Sequence, residues 1–541
     1  MRKTTYIPVL LAMAAASAVA DAGDPPSEVA RLNYMEGPVS FRPGSVEDWT
    51  AASLNYPLTI GDHLWTDDGA RAELHVGSNG IRMNSRTALA VLNLDDRTVQ
   101  LSLTEGWVQI HLRYLANDET FEVDTPNAAM SLVAPGDYLI GADSEQGRTT
   151  AIVRGGEADI TAAGSEFSLR PRESAGITIT DTGAQELDSV PPSSAFEDWC
   201  RNRDFREDQA FSREARYVPR EMIGAEDLGQ YGVWREDAQY GWVWVPTGVP
   251  AGWAPYRYGH WAWVEPWGWT WIDDAPWGFA PFHYGRWAFV GAAWVWVPGR
   301  MMVAVRPVYA PALVAFVGGP RFGVAAWFPL GPGEVYRPAY AASEVYVRNV
   351  NIVHVTDIDA IGVTNVRYMN QSVAGAVSVV PHDAFVSARP VARAAIMVPH
   401  ETIMRAEVVG TTAPIAPTRV SVLAGSGGVV NTPPARFVDC TVVARQTPPP
   451  APVPFAAKEQ ALRANGGRPL DTAQMNAIRG SAPPARPMAR AAAPARPAAA
   501  PIAERPANAE ARPSDQPREQ HSQPAAKKTE KKKTEKKTER Q

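Results

Sequence analysis

Lysine is almost missing from this chain of 541 residues: none occurs between Lys3 and Lys458. Cysteine is scarcer still, with only Cys200 and Cys440. Two cysteines exclude a disulfide-dense scaffold. With no C-x-x-C pair, Cys/His cluster or H-E-x-x-H segment, the sequence supports neither a structural zinc nor a zinc-protease site. The phosphate-cradling G-x-x-x-x-G-K-[ST] loop is missing too, which excludes a P-loop ATPase. No metal and no cofactor is expected. After the first twenty residues no run of roughly eighteen uncharged apolar residues occurs, so no helix is expected to span a membrane. An even cysteine count in an exported chain permits one bridge, between Cys200 and Cys440.

Charge and aromatic residues are spread unevenly. The net charge of −6 conceals roughly −19 over residues 21–230 and roughly +10 over residues 441–541. These two regions must meet different surroundings, or each other. Residues 1–20 begin with Arg2-Lys3, continue through an apolar run from Tyr6 to Met13 and end in Ala18-Val19-Ala20. That order is a secretory signal peptide with cleavage near Ala20, which implies a periplasmic or secreted protein.

Residues 28–182 carry short alternating segments such as RAELHV, TVQLSL, WVQIHL, TFEVDT and DYLIGA, separated by Gly, Asp and Asn. Many short strands at this spacing predict a β-sandwich, barrel or roll. Within them, GDHLWTDDGARAELHV, LTEGWVQIHL and FEVDTPNAAMSLVAPGDYLIGA resemble the FecR-type periplasmic domain. Gly61, Asp62, Thr66, Gly69, Thr125 and Pro126 stand at the family's recurrent positions, and Gly136-Asp137-Tyr138 stands where Gly-Thr is usual. The founding members of that family sense an occupied outer-membrane receptor and control a sigma factor. Without a membrane-spanning helix, the resemblance implies here a β-domain suited to protein contact in the envelope.

Residues 194–217 (SAFEDWCRNRDFREDQAFSREARY) predict a helix opened by Ser194, with Glu197 completing a capping box. Its dense Arg and Asp/Glu content reads as a solvated, ion-paired linker, with Phe196, Trp199, Phe205 and Phe211 as apolar contacts.

Next comes the aromatic block. Thirteen of the eighteen tryptophans fall within residues 231–299, and these residues repeat at a period of roughly 26. Tyr231-Gly232-Val233-Trp234, Tyr258-Gly259-His260-Trp261 and Tyr284-Gly285-Arg286-Trp287 open the three copies, each followed by alternating tryptophans. Period-two alternation places those rings on one face of a strand, so each copy predicts a hairpin in a module spanning residues 218–300. The rings either fill a shared core or form a platform for sugars, extended peptides or Pro-rich segments. If a platform exists, Tyr258, Trp261, Trp269, Trp271, Tyr284 and Trp287 are its candidate residues. Asp273-Asp274 is the paired carboxylate considered for catalysis. A glycosidase needs two carboxyls about 5 to 10 Å apart across a cleft, whereas Asp before Ala-Pro is ordinarily a turn former. Copy two carries Arg257 and His260 where copy three carries His283 and Arg286, and an exchange of His with Arg speaks against metal ligation.

Residues 301–410 read as further strands: two over 301–319, then AAWFPLGPGEVYRPAY, EVYVRNVNIVHV, AVSVVPHDAFVSARPV and ETIMRAEVV. WIDDAPWGFAPFHYGRW and WFPLGPGEVYRPAY resemble an uncharacterised Trp-rich family often joined to FecR-like domains in exported bacterial proteins, a resemblance that implies no known activity. Residues 411–541, rich in Pro and Ala and ending in KKTEKKKTEKKTERQ, are expected to be a disordered tail.

The expected fold is therefore mainly β: a FecR-like β-domain, a short linker helix, a Trp-rich β-repeat module and a Pro/Ala/Lys-rich tail. The expected function is that of a non-enzymatic exported envelope protein that binds or scaffolds, with an envelope protein or cell-wall glycan as partner. Nucleic acid is not expected, and the basic tail is a candidate contact for anionic envelope polymers or for the acidic β-domain. Two alternatives are a signalling regulator working through the FecR-like domain and a carbohydrate-active hydrolase using Asp273 or Asp274.

Overall fold

A computed structural model describes residues 23–171, 176–180, 183–186, 192–299, 306–318, 323–351, 367–424, 430–438, 440–481 and 487–492. The chain divides into units of residues 1–495 and 496–541, and every described residue lies in the first. The leader expected over residues 1–20 lies outside the described residues, as does the charged end of the tail. No helix among the described residues is long and apolar enough to cross a membrane.

The fold is mainly β. From Ala30–Glu36 to Gly183–Glu186 the described strands pair into one network. Its organiser is the fifteen-residue strand Thr98–Leu112. The first half of that strand pairs with Thr87–Leu94 and Thr120–Asp124, the second half with Asn79–Met83 and Gly136–Asp143, so one strand serves two sheets. The handover is at Gly106, with φ +85°. A Cβ there would come within 2.4 Å of Thr87 Oγ1, so only glycine both adopts that backbone and lets the neighbouring strand approach. Leu101, Leu103, Val108 and Ile110 alternate inward from the two halves and join Leu74, Ile81, Val123 and Ile140 in the core. Several of the positions that carry the resemblance in the N-terminal segment are anchors of turns. Asp62 accepts from Gly44 N (2.9 Å) and Thr59 N (2.8 Å), and Thr125 Oγ1 binds Ala128 through both its N–H and its C=O.

The helix Ala195–Glu214 has the expected capping box, with Glu197 N donating to Ser194 Oγ and Ser194 N to Glu197 Oε2. It is not a solvated linker. Phe196 and Cys200 pack on Leu139 and Ile152 of the β-domain, and the acids Asp204, Glu207 and Glu214 are buried, whereas Phe205 is 66% exposed. The charged face of the helix turns inward because the β-domain offers it buried arginines.

Each aromatic copy folds as an antiparallel hairpin: Gly232–Asp237 with Gly241–Pro246, Gly259–Val264 with Gly268–Asp273, and Arg286–Val290 with Ala293–Val297. The repeat is exact at its seat. Trp234 faces Trp244, Trp261 faces Trp271 and Trp287 faces Trp296 across the three hairpins. A Cβ on Gly232, Gly259 or Gly285 would come within 2.3, 2.7 or 2.5 Å of the indole of Trp244, Trp271 or Trp296. The glycine of each Tyr-Gly-x-Trp opening is thus the bed on which the returning tryptophan lies. The first and third hairpins join through Trp244 and Trp296 into one four-stranded sheet, and among the described residues the second forms a two-stranded sheet of its own.

The remaining region departs from the expected strands. Of the two strands expected over 301–319, the described part forms one, Val314–Val317. EVYVRNVN is a helix, Glu344–Asn351, because Tyr346 and Val350 lie one turn apart and both are buried. His400–Arg405 is helical as well. Ser378–Pro381, Val324–Pro329, Val314–Val317 and Val408–Gly410 form a separate sheet. Order also continues past Thr411, where the tail was expected to begin. Ile415, Val422, Phe437, Val442, Phe455 and Leu462 are buried, and the helix Phe455–Ala464 is fixed by Lys458 against Glu265 at 2.5 Å. Scattered single anchors hold this stretch, which the averaged composition hid. Its basic residues meet the acidic β-domain directly, Arg436 with Glu145 (2.5 Å) and Arg445 with Glu166 (2.8 Å). Cys200 and Cys440 are both free thiols, so the permitted bridge is not formed.

Candidate functional site

Five of the six aromatic residues expected to line a platform are core residues. Trp261, Trp269, Trp271 and Trp287 are at most 3% exposed and Tyr284 is 6% exposed, while Tyr258 is half-buried. Trp261 is boxed edge-on by Trp271 and Trp327, Trp269 Nε1 donates to Ile415 O (2.7 Å), and Trp287 Nε1 donates to Pro281 O (2.8 Å). Rings packed on both faces cannot stack on a ligand, so the expected platform is corrected to a core. The physical reason is the copy number: three hairpins bury their rings against one another and against Phe316, Trp327 and Phe385 of the following region.

The open aromatic surface lies instead on the first copy. Trp242 is 46% exposed, whereas its equivalents Trp269 and Trp294 are 3% and 7% exposed. The cross-strand partner explains this. Trp269 faces Trp263 and Trp294 faces Phe289, but Trp242 faces Glu236. Copy one carries Arg235-Glu236-Asp237 where copies two and three carry Ala-Trp-Val and Ala-Phe-Val, and a charged side chain does not cover an indole. Trp242 meets Tyr217 edge-on at 5.0 Å, and Tyr217 stacks on Trp234 at 4.4 Å and 16°. Trp234 Nε1 donates to Glu214 Oε2 (2.6 Å), which ties the stack to the helix, and the Arg216 guanidinium lies 5.8 Å from the Tyr217 ring. Tyr217, Trp234 and Trp242 are the residues that sequence reasoning missed. The signal was the divergence of copy one, visible once hairpin register is known.

Asp273 is buried, accepts from Trp271 Nε1 and Ala275 N (both 3.0 Å), and burial holds its carboxyl well above the usual range. Asp274 is exposed. The first therefore serves the turn and its own hairpin. The histidines of the repeat are equally internal. Burial pushes His260 down to about 4 and His283 down to about 3, and His283 Nδ1 donates to Ala310 O (2.8 Å). Arg286, buried, donates to Glu334 O, Gly285 O and Asn351 Oδ1.

A second concentration of chemistry lies where the β-domain, the helix and residues 225–227 meet. Arg82 reaches Glu73 (2.5 Å), Asp204 (2.5 Å) and Glu207 (2.8 Å), Arg203 reaches Glu73, and Arg31 reaches Glu226 (3.2 Å) and Asp227 (2.6 Å). His75 sits among them, 2.7 Å from Glu226 and 3.4 Å from both Glu73 and Glu207. Burial acts against its charge, but Glu207 and Glu226 prevail and hold the imidazole well above its ordinary value. Glu73, Glu207 and His75 lie close enough together to suggest a metal. An imidazolium has no free lone pair, and the arginines already neutralise these carboxylates. His111, Asp137 and Asp204 make a similar group, again with Arg82 and Arg113 on Asp204. Both are ionic seams.

Residues 225–334 match a family of unknown function, DUF6600. No curated protein matches the chain. In its N-terminal region it is similar to two crystal structures, at 2.50 and 1.65 Å resolution, of a protein from Parabacteroides distasonis ATCC 8503 described as an anti-sigma factor. The identities are 17% and 16%, each match covers 26% of this chain, and the TM-score is 0.22 in both. The chain spans 63% and 64% of the length of those structures.

Proposed function

We propose that this is an exported cell-envelope protein that works by binding and scaffolding, without enzymatic chemistry, and that Tyr217, Trp234 and Trp242 form its contact surface for a cell-wall glycan. The observation that carries this reading is the exposure of Trp242 in a module that buries nearly every other indole. A half-open indole flanked by a stacked Tyr–Trp pair and a guanidinium suits the C–H face of a sugar ring with hydroxyls at its edge. Export rests on the signal-peptide pattern of residues 1–20. The test is sedimentation of the full chain with purified peptidoglycan, beside titration with soluble glycans followed by tryptophan fluorescence. Saturable binding that Trp242→Ala weakens about tenfold and Trp294→Phe leaves intact supports the reading. Binding unaffected by Trp242→Ala, or none at all, overturns it and moves the search to protein partners of the β-domain.

A further inference from the structure

Residues 447–454 read TPPPAPVP. They border two cavities lined by distant parts of the chain: Ile60, Val91 and Leu92 line the first, and Ile60, Tyr56, Trp263 and Trp267 the second. Cavities of about 530 and 330 Å³ flank the segment, and Pro449, Pro450 and Pro452 line both. The strap is pinned at its two ends. On the upstream side Arg445 N and Gln446 N donate to Glu122 Oε1 (2.8 and 3.2 Å), and Gln100 Nε2 donates to Gln446 O (2.9 Å). On the downstream side Phe455 N donates to Ser45 O (2.7 Å). Between the pins, five prolines bring no N–H; Pro448, Pro449 and Pro452 are half-buried, and Pro450 and Pro454 are exposed. The Pro452 ring lies so close over Gly61 that a Cβ there would come within 2.6 Å of Pro452 Cγ. Pro454 has φ −54° and ψ 137°, in the polyproline II region.

An extended proline ligand, an aromatic wall and a glycine that admits the proline ring are the parts of a polyproline-recognition groove. We propose that this cleft recognises polyproline-type peptides, that residues 448–454 are its resident ligand, and that a Pro-rich segment of a partner protein exchanges into it by lifting the strap between its pinned ends. The chemistry of the incumbent argues for that of the partner, and the flanking cavities leave room for longer side chains than the strap supplies. Because the resident segment competes, the intact chain binds with an affinity reduced by the fraction of time the strap is lifted.

The test uses the full chain and a synthetic peptide of sequence TPPPAPVPF, with a peptide in which every proline is serine as control. Replacing Pro449, Pro450 and Pro452 together by serine weakens the incumbent, and calorimetry is expected to show the proline peptide binding about tenfold tighter than to the unaltered chain. Adding Ile60→Glu, on the half-buried wall, should remove that gain. Should the triple variant fail to fold, the unaltered chain still decides. Saturating proline peptide is expected to speed hydrogen exchange at Ala451 and Val453 while Phe455 stays protected. No gain in a folded triple variant, equal binding of the serine peptide, or unchanged exchange would overturn the proposal.

Discussion

The seam between β-domain and helix and the core of the aromatic module are both fully buried, yet they are held by opposite means. The seam gathers Arg31, Glu73, His75, Arg82, Glu207 and Glu226 with almost no exposed surface, and the module gathers Trp244, Trp261, Trp271, Trp287 and Trp296 in the same condition. Buried rings contribute stability by area and packing, regardless of salt or pH. Buried charges contribute mainly as a set: each ion's lost hydration is offset only while its partners stay in place. The packing of the module's rings is therefore expected to be insensitive to salt, and the seam to specify one docking of helix on sheet.

Deleting one member of each set tests the contrast most strongly. Trp296→Ala should lose about 3–5 kcal/mol in chemical denaturation, with little change between low and high salt. Arg82→Ala should lose a comparable 3–5 kcal/mol, because Glu73, Asp204 and Glu207 are left without their shared cation. Arg82→Met combined with Glu73→Gln should recover part of the loss. If the double change is no better than the single one, the seam is held by shape and not by charge pairing.

The pH response separates the two regions next. Burial raises Asp62 in the β-domain to about 7. A carboxyl raised on folding contributes stability that is complete below its unfolded value near 4 and is lost as pH rises through about 7. His283 in the module is lowered to about 3, so its contribution is complete above the unfolded value near 6.5 and is lost as pH falls towards about 3. Melting curves from pH 4 to 8 should show that Asp62→Asn flattens the alkaline decline and His283→Gln the acid one. Identical slopes in both variants and the parent would remove the distinction.

The smallest effects are expected at Trp242 and at the Asp273-Asp274 pair. Trp242→Ala should change stability by no more than about 0.5 kcal/mol, since half of the ring already faces water, while glycan binding falls. The paired change of Asp273 and Asp274 to Asn should leave glycan-hydrolysis assays at background, as in the parent. Hydrolysis present in the parent and lost in the variant would revive the hydrolase reading.

Much of this architecture was legible in the sequence. Alternating tryptophans behind Tyr-Gly-x-Trp announced three hairpins, and Ser194 with Glu197 announced the helix start. Which rings face water was not legible, because exposure at Trp242 depends on Glu236 standing opposite, and register is a property of pairing. The inward turn of the charged helix face was hidden for a similar reason: Arg82 lies more than a hundred residues away from Asp204 and Glu207, the helix acids it meets. EVYVRNVN fits either periodicity over so short a span, and only packing of Tyr346 and Val350 decides it. Beyond residue 411 the composition suggested disorder, whereas a handful of isolated apolar side chains tether the segment to surfaces made elsewhere.

Lys458 is the one lysine between Lys3 and Lys527, and it lies fully buried against Glu265 at the foot of the proline strap. Acylating reagents that attack free amines will therefore find no target in the body of the folded molecule. Modification of Lys458 becomes a built-in chemical reporter of when that corner opens, read by mass from a single peptide and needing no engineered label.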